Sequence, residues 1–432
     1  MGRRFCFSLC MLMLCVCAGC SSSVVSDGVM RIDEVMRIDV GEALDDGRSV
    51  GLSRYGSAIE YVPLESVPQS LLRRNSRVFY DKGKFFLVAS HTVGGVDVPF
   101  FDESGKYLGR VGKAGRGPGE YNNLVGFFVE YDNEADRVCI LGQHNAVVYD
   151  LSGQCICEIP FDGVKELTGH HAFYSSAVFD YVGGGKYCLL ASAYIKGDMN
   201  EYLFVFDSSG NVIKQINVGK ALKRTKTLKG VNHVSIWKSH LYFSSGQVGQ
   251  TGSSRDTLFS VDCDGGTRSA KAVFTMYGKP FGKVLERNDA FLLMDILECD
   301  KFILSNVSFP TADFPDFYKI FKVVPHKAKA WLLYDKEERS CTALKYNKVP
   351  VDAETSAVGV YAQFPGNDGF LNDLDGGMPF LPSYINDGKM FQLVDASVFI
   401  EMAGICSSAR MKEVAAQLTE ESNPVVVVVT MK

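Results

Sequence analysis

Apolar runs recur along the chain, and each is broken by Asp, a few polar residues and Gly before a second run begins. The unit reads FFDESGKYLGRV at 100–111, VVYDLSGQCICEI at 147–159, LFVFDSSGNVIKQI at 203–216 and LFSVDCDGGTRSAKAVF at 258–274. A looser copy, LLYDKEERSCTAL, lies at 332–344. Asp with Gly or Ser supplies the turn between two pleated runs, so each copy predicts a β-hairpin. Hairpins at intervals of about 50 residues predict repeated four-stranded sheets arranged as a propeller.

The pattern divides residues 51–432 into six blades, at 58–111, 119–160, 171–219, 231–278, 290–346 and 358–432. AIEYVPL (58–64) opens the first. FLLMDILECDKFILSNVSF (291–309) and KMFQLVDASVFIEM (389–402) read as middle strands, apolar throughout because both faces of a packed blade are buried. Near the C-terminus, Met411, Val414, Ala415 and Leu418 fall at helical spacing and predict a helix over 407–421, stopped by Asn423-Pro424. Val425 to Val429 follow. Five exposed valines would form a flat apolar edge prone to aggregation, so the run is expected to insert into the terminal sheet and close the ring. Strand 58–64 is the alternative closure. A sandwich would need several units of about 100 residues with linkers between them, and no linkers are visible. The expected fold class is all-β, a six-bladed β-propeller with a short C-terminal helix and a terminal strand closing the ring.

Only the N-terminus departs from this texture. Arg3 and Arg4 precede an apolar stretch, Phe5–Ala18, too short to span a membrane. Cys17-Ala18-Gly19-Cys20 ends it with small residues before a cysteine, which resembles a bacterial lipobox. Residues 1–19 therefore read as a lipoprotein signal peptide, Cys20 as the lipidated residue, and 20–50 as a tether. Removing Arg3 and Arg4 takes the formal charge from −5 to −7. A mildly acidic body without a basic run argues against nucleic acid as a partner. The tandem VMRIDEVMRID at 29–39 reads as local duplication rather than a structural period. Five of the 13 cysteines lie in the signal or at its end; most of the others sit in apolar runs, where a thiol behaves as a small hydrophobe. Cys155 and Cys157 are expected on one strand face.

GRGPGEYNNLVGFFVEYDNEADRVCILGQHNAVVYDLSG at 115–153 resembles an NHL repeat. Pro63-Leu64-Glu65, the Gly115–Tyr121 corner, Asn372-Asp373-Leu374-Asp375-Gly376-Gly377 and Asn423-Pro424 together resemble a family of six-bladed β-propeller lipoproteins from anaerobic gut bacteria. The resemblance covers nearly the whole mature chain. It implies the propeller and the lipid anchor, and it assigns no activity.

Two loops interrupt the hairpin repeat and are the candidate binding surfaces. The first, Gly112–Tyr121, carries Arg116, Glu120 and Tyr121. It lacks the Gly-Lys-Ser/Thr ending of a phosphate cradle. These three residues read either as a ligand-facing rim or as internal props of a glycine-rich turn. The second holds Asn372, Asp373 and Asp375, with Asp368 nearby. Alternating oxygens before Gly-Gly suit Ca²⁺ as a weak option, against Asx capping of turns; no other cofactor is implied. The seven histidines show no metal spacing, and no nucleophile elbow occurs. The leading functional expectation is a lipid-anchored cell-envelope module, on the periplasmic or outer face of the outer membrane, binding a glycan, peptide or partner protein at the channel mouth. The alternative is an envelope hydrolase or lyase acting on a sugar or peptide in the channel.

Overall fold

The computed structural model describes residues 35–432, except 73–75, 91–95, 114, 116, 122–128, 133–136, 142–144, 151, 169–171, 196–197, 221–233, 238–239, 245–256, 263–265, 281–291, 311–326 and 346–368. Among the described residues the strands form six sheets, I to VI. Sheet I is Arg77–Asp81, Lys84–Ser90, Pro99–Asp102 and Tyr107–Arg110, with the short Val96–Asp97 beside it. Sheet II is Val129–Asp132, Arg137–Leu141, Asn145–Asp150 and Cys155–Pro160. Sheet III is Ala172–Gly183, Lys186–Ile195, Asp198–Asp207 and Val212–Lys220. Sheet IV has Val234–Trp237, His240–Ser244, Thr257–Asp262 and Thr267–Met276, with Met36–Asp39 and Lys279–Pro280 added. Sheet V is Leu292–Glu298, Phe302–Pro310, Lys327–Asp335 and Ser340–Ala343. Sheet VI is Tyr384–Asn386, Lys389–Val394, Val425–Met431 and Gly56–Pro63. The helices are α1 (Val40–Asp45), α2 (Asp162–Thr168), α3 (Ala396–Ile405) and α4 (Ala409–Ala415). The architecture is an all-β propeller.

The expectation of a six-bladed ring is met in part, with five regular blades and one sheet of a different build. Five sheets are antiparallel throughout; the other, sheet IV, is mixed, because Met36–Asp39 pairs in parallel with its last long strand. Buried apolar clusters fill the gaps I–II, II–III, IV–V, V–VI and VI–I. In sheet V, Phe302 and Leu304 face sheet VI while Ile303 and Val307 face sheet IV, which is why such strands read as apolar throughout.

The repeated hairpin explains the order of the ring. In sheets I to III the backbone N–H of Gly105, Gly153 and Gly210 donates to the carbonyl of Asp102, Asp150 and Asp207 at 2.9, 3.0 and 3.0 Å. The three glycines have φ of 83°, 85° and 83°, in the left-handed region where a side chain is disfavoured. The Asp carboxylates accept the next backbone N–H groups, as in Ser104 and Lys106 to Asp102 at 2.9 and 3.0 Å. Each glycine also lies against the end of the preceding sheet. A Cβ on Gly153 would sit 2.6 Å from the Arg110 carbonyl oxygen, and Cβ atoms on Gly105 and Gly210 would overlap the carbonyls of Pro63 and Pro160. The hairpin is thus a clasp between neighbouring sheets.

One residue after the clasp's first outward step, each outer strand of sheets I to III carries a β-bulge. The extra residues are Leu108, Ile156 and Ile213, which remain 45%, 45% and 55% exposed. A bulge twists an open edge away from further pairing. In sheet IV a bulge at Lys271 lies two residue pairs further from the turn, and Met36–Asp39 pairs along the strand just beyond it.

Val425–Met431 inserts between Lys389–Val394 and Gly56–Pro63, so both segments considered for closure contribute. Strand 58–64 consequently belongs to sheet VI and does not open the first blade. Residues 36–45 of the expected 20–50 tether are strand and helix: Ile38, Val40 and Ala43 are fully buried between sheets IV and V. The first copy of VMRID lies outside the described residues, and the second forms Met36–Asp39. The expected strand 389–402 breaks at Val394, and α3 follows. Ala396, Phe399, Met402 and Ala403 are its buried positions, a spacing of three and four that is helical, not extended. The expected helix over 407–421 is confined to α4, whose N-cap Ser408 accepts from the Met411 N–H at 3.1 Å.

Candidate functional site

The glycine-rich corner between sheets I and II folds around one carboxylate. Glu120 accepts from the Gly117 N–H at 2.9 Å through Oε2 and pairs with Lys113 Nζ at 2.7 Å through Oε1. The loop closes on itself as Gly115 N–H donates to the Tyr121 carbonyl and Tyr121 N–H to the Lys113 carbonyl, both at 3.0 Å. A Cβ on Gly115 would collide with Glu120 Oε2, so the glycine is there to admit the carboxylate. Tyr121 is 1% exposed and packs edge-on against Tyr149, with centroids 6.0 Å apart. The Tyr149 hydroxyl donates to the Gly119 carbonyl at 2.8 Å. Gly119 N–H in turn donates to Glu158, which also receives Asn145. Burial, followed by the nearby Cys155 and other acidic groups, holds the Tyr149 hydroxyl far above its ordinary pKa. Glu120 and Tyr121 therefore sit together as supports of the turn; Arg116 lies outside the described residues.

The second loop has its oxygens pointed in different directions. Asp373 accepts from Ser53 N–H at 2.7 Å and from Ser53 Oγ at 2.6 Å, which joins it to the segment before sheet VI's outer strand. Burial raises its pKa, but the Ser53 hydrogen bonds outweigh this and leave the carboxyl below its usual range. Asp375 accepts from Tyr61 OH at 3.0 Å, Ser408 Oγ at 2.6 Å and Gly377 N–H at 3.0 Å. Asn372 is 4% exposed and donates through Nδ2 to Asp375 at 2.8 Å and to the Tyr61 hydroxyl at 3.2 Å. Burial first, then the Asp375 charge, drives the Tyr61 hydroxyl pKa well upward. Asn372 and Asp375 are thus brought together with Tyr61 and Ser408, while Asp373 turns to Ser53. No group of three or more His, Cys, Asp or Glu able to hold a metal ion occurs among the described residues. Asp368 lies outside them.

Three further polar clusters emerge that sequence inspection did not single out. Asp335, the Asp of the loosest hairpin copy, accepts from Arg54 Nη2 at 2.7 Å and Tyr55 OH at 2.6 Å, and joins sheet V to sheet VI. Lys389 Nζ donates to Tyr80 OH at 2.9 Å, and Tyr80 donates to Glu103, joining sheet VI to sheet I. Asn423, 2% exposed, donates to the carbonyls of Glu65 and Ser70 at 2.8 and 3.0 Å and accepts from Leu72 N–H at 2.8 Å. Its Asn-Pro context signalled only a helix stop. Cys155 and Cys157 do not share a face: the bulge at Ile156 separates them, leaving Cys155 beside Gly119 while Cys157 packs toward sheet III. All seven described cysteines are free thiols.

A family model for a domain of unknown function, DUF4934, matches residues 35–430. The chain belongs to this family. The matched span takes in all six sheets, short of the last residue of the inserted strand. No curated protein matches significantly. Among solved structures, a Bacteroides fragilis protein described as exported is similar over 92% of this chain and 99% of its own, at 14% identity and a TM-score of 0.59. That likeness shows the shared fold. A Bacteroides vulgatus member of the DUF4221 family is similar over 87% of this chain and 97% of its own, at 14% identity and a TM-score of 0.46. No helix among the described residues is long and apolar enough to cross a membrane.

Proposed function

We propose that this protein is a lipid-anchored envelope module, tethered through Cys20, that uses the mouth of a six-sheet, NHL-like propeller to bind a glycan, peptide or partner protein. The carrying observation is how the carboxylates of the two interrupting loops are employed. Glu120 and Asp375 accept backbone N–H groups and hydroxyls of their own fold, and Asp373 is held by Ser53. Carboxylates so engaged fix the loops, and a fixed loop loses little entropy when a ligand docks. Acid–base catalysis instead calls for a carboxyl whose environment poises it toward the working pH.

The test has two arms. The purified chain with Cys20→Ala is passed over glycan and peptide arrays, and each hit is incubated and analysed for products. Retention of ligand without product formation is expected. Release of sugar or peptide fragments, abolished by Asp373→Asn, would overturn the binding reading and favour an envelope hydrolase. Separately, lipid labelling of the native chain in a Gram-negative host is expected to be lost in Cys20→Ala.

A further inference from the structure

The duplication VMRIDEVMRID places two identical copies of an edge-strand sequence six residues apart. The second copy provides the strand on the outer edge of sheet IV. Met36, Arg37, Ile38 and Asp39 lie opposite Ala272, Val273, Phe274 and Thr275 in parallel register. Ile38 is fully buried. Asp39 accepts from Glu42 N–H at 3.0 Å, Thr275 Oγ1 at 2.8 Å, Tyr277 N–H at 2.9 Å and Gly278 N–H at 2.6 Å. Every side chain making these contacts has an identical counterpart six positions earlier: Met30, Arg31, Ile32 and Asp33.

We propose that the first copy exchanges with the second on this edge, shifting the N-terminal segment by six residues. An even shift keeps each side chain on its original face, so Ile32 enters the buried position of Ile38 and Asp33 the position of Asp39. A one-residue slip would turn the isoleucine to solvent and is excluded by the same argument. Helix α1 need not move, because Glu34 to Asp39 can close as a short loop between Asp33 and Val40, within ordinary connection lengths. The unshifted register avoids that loop closure and is the major state. Resting on the anchor reading above, the shift shortens the tether by six residues, about 20 Å of extended chain. The exchange gives the propeller two standing distances from a membrane without altering its sheets.

The test uses the full chain with Cys20→Ala, so its outcome does not depend on lipidation. Ile38→Asp is made both in the two-copy chain and in a chain lacking residues 29–34, which retains one copy. Exchange predicts that the unfolding midpoint falls much less in the two-copy chain, and that adding Ile32→Asp removes the difference. Equal loss in both backgrounds, or failure to fold in both, overturns the proposal. Thiol cross-linking gives a readout that needs no destabilising variant. Arg37→Cys with Val273→Cys should cross-link readily, and Arg31→Cys with Val273→Cys should give the same bond at lower yield by peptide mapping. Absence of the second cross-link also overturns the proposal.

Discussion

Gly153→Ala tests whether the repeated hairpin is an inter-sheet clasp or only a turn. Gly153 has φ of 85°, and a new Cβ would stand 2.6 Å from the Arg110 carbonyl of sheet I and 3.4 Å from Gly112 N. Gly388→Ala is the matched control: its φ is 67° and nothing lies within 4 Å of a new Cβ. A left-handed alanine costs about 1–2 kcal/mol, of which reduced unfolded-state entropy returns about 0.4–1. The control should therefore lose about 1 kcal/mol or less. Gly153→Ala adds a close approach to a carbonyl already committed to the neighbouring sheet, and overpacking of that kind costs about 1–3 kcal/mol. The expected total is about 1–4 kcal/mol. Gly105 and Gly210, which face the carbonyls of Pro63 and Pro160, should behave as Gly153 does. Urea unfolding followed by intrinsic fluorescence measures the midpoints, with an unchanged slope identifying a true stability change. If Gly153→Ala and Gly388→Ala agree within about 0.5 kcal/mol, the hairpin does not touch its neighbour and the clasp argument fails.

Asn423→Ala should destabilise by about 2–4 kcal/mol, because it orphans Leu72 N–H and takes a donor from the Glu65 and Ser70 carbonyls; Asn423→Asp should be worse, since it sets a carboxylate against those carbonyls, and both are read from urea midpoints. Asp335 has its carboxyl held below the usual range: burial raises it, but Glu338 N–H, Tyr55 and Arg54 prevail. Its stabilisation is therefore full above the unfolded carboxylate pKa of about 3.9 and fades as pH falls through the lower folded value, so Asp335→Asn should flatten the acid limb of a stability–pH curve. Among the described thiols, maleimide should label exposed Cys155 first, while buried Cys139 and Cys188 wait for unfolding; mass mapping during a urea series checks the order. Chelation of Ca²⁺ should leave the melting temperature unchanged, because Asp373 and Asp375 serve different partners.

The hairpins were legible because their signal is local. Asp and Gly at fixed spacing encode a turn whatever surrounds them, and the apolar runs on either side encode burial. The terminal valines were legible for a related reason: five in succession have few stable fates other than a covered strand. The errors fell where tertiary context outweighed the local pattern. VDASVFIEM has the apolar density of a strand, yet only its helical subset, Ala396, Phe399, Met402 and Ala403, is buried. Counting burial period instead of apolar content would have separated the two. The first apolar strand was placed in the nearest blade, whereas pairing across 373 residues, as between Ser57 Oγ and the Thr430 carbonyl, leaves no local trace. For the candidate loops, composition identified the right residues to inspect and could not indicate which way they turn. Glu120 faces inward because Gly115 has no Cβ to block it, a relation visible only in space.

Among the described residues, sheet VI carries no hairpin of the repeated kind at its outer strand. Sheet VI takes its outer strand, Gly56–Pro63, from the N-terminal end of the fold, so no turn can join that strand to Val425–Met431. Its two junctions must then be made by other means. Toward sheet V, Arg54 and Tyr55, which precede the borrowed strand, reach the Asp335 carboxylate. Toward sheet I, Asn423 and Pro424, which precede the inserted strand, bind the 64–72 segment, with Leu64 N–H donating to the Pro424 carbonyl at 3.2 Å. Sheet I's own clasp then rests on Pro63, the last residue of the borrowed strand. The chain ends are thereby interlocked: the borrowed strand cannot dock until Val425–Met431 is in place, and Val425–Met431 has one open edge until the borrowed strand arrives. Closure of this ring is therefore a late, long-range step in folding, because the loop it closes spans most of the chain. Trimming the C-terminus before Asn423 should remove both junctions at once, leaving the clasps of sheets II and III intact but the ring open.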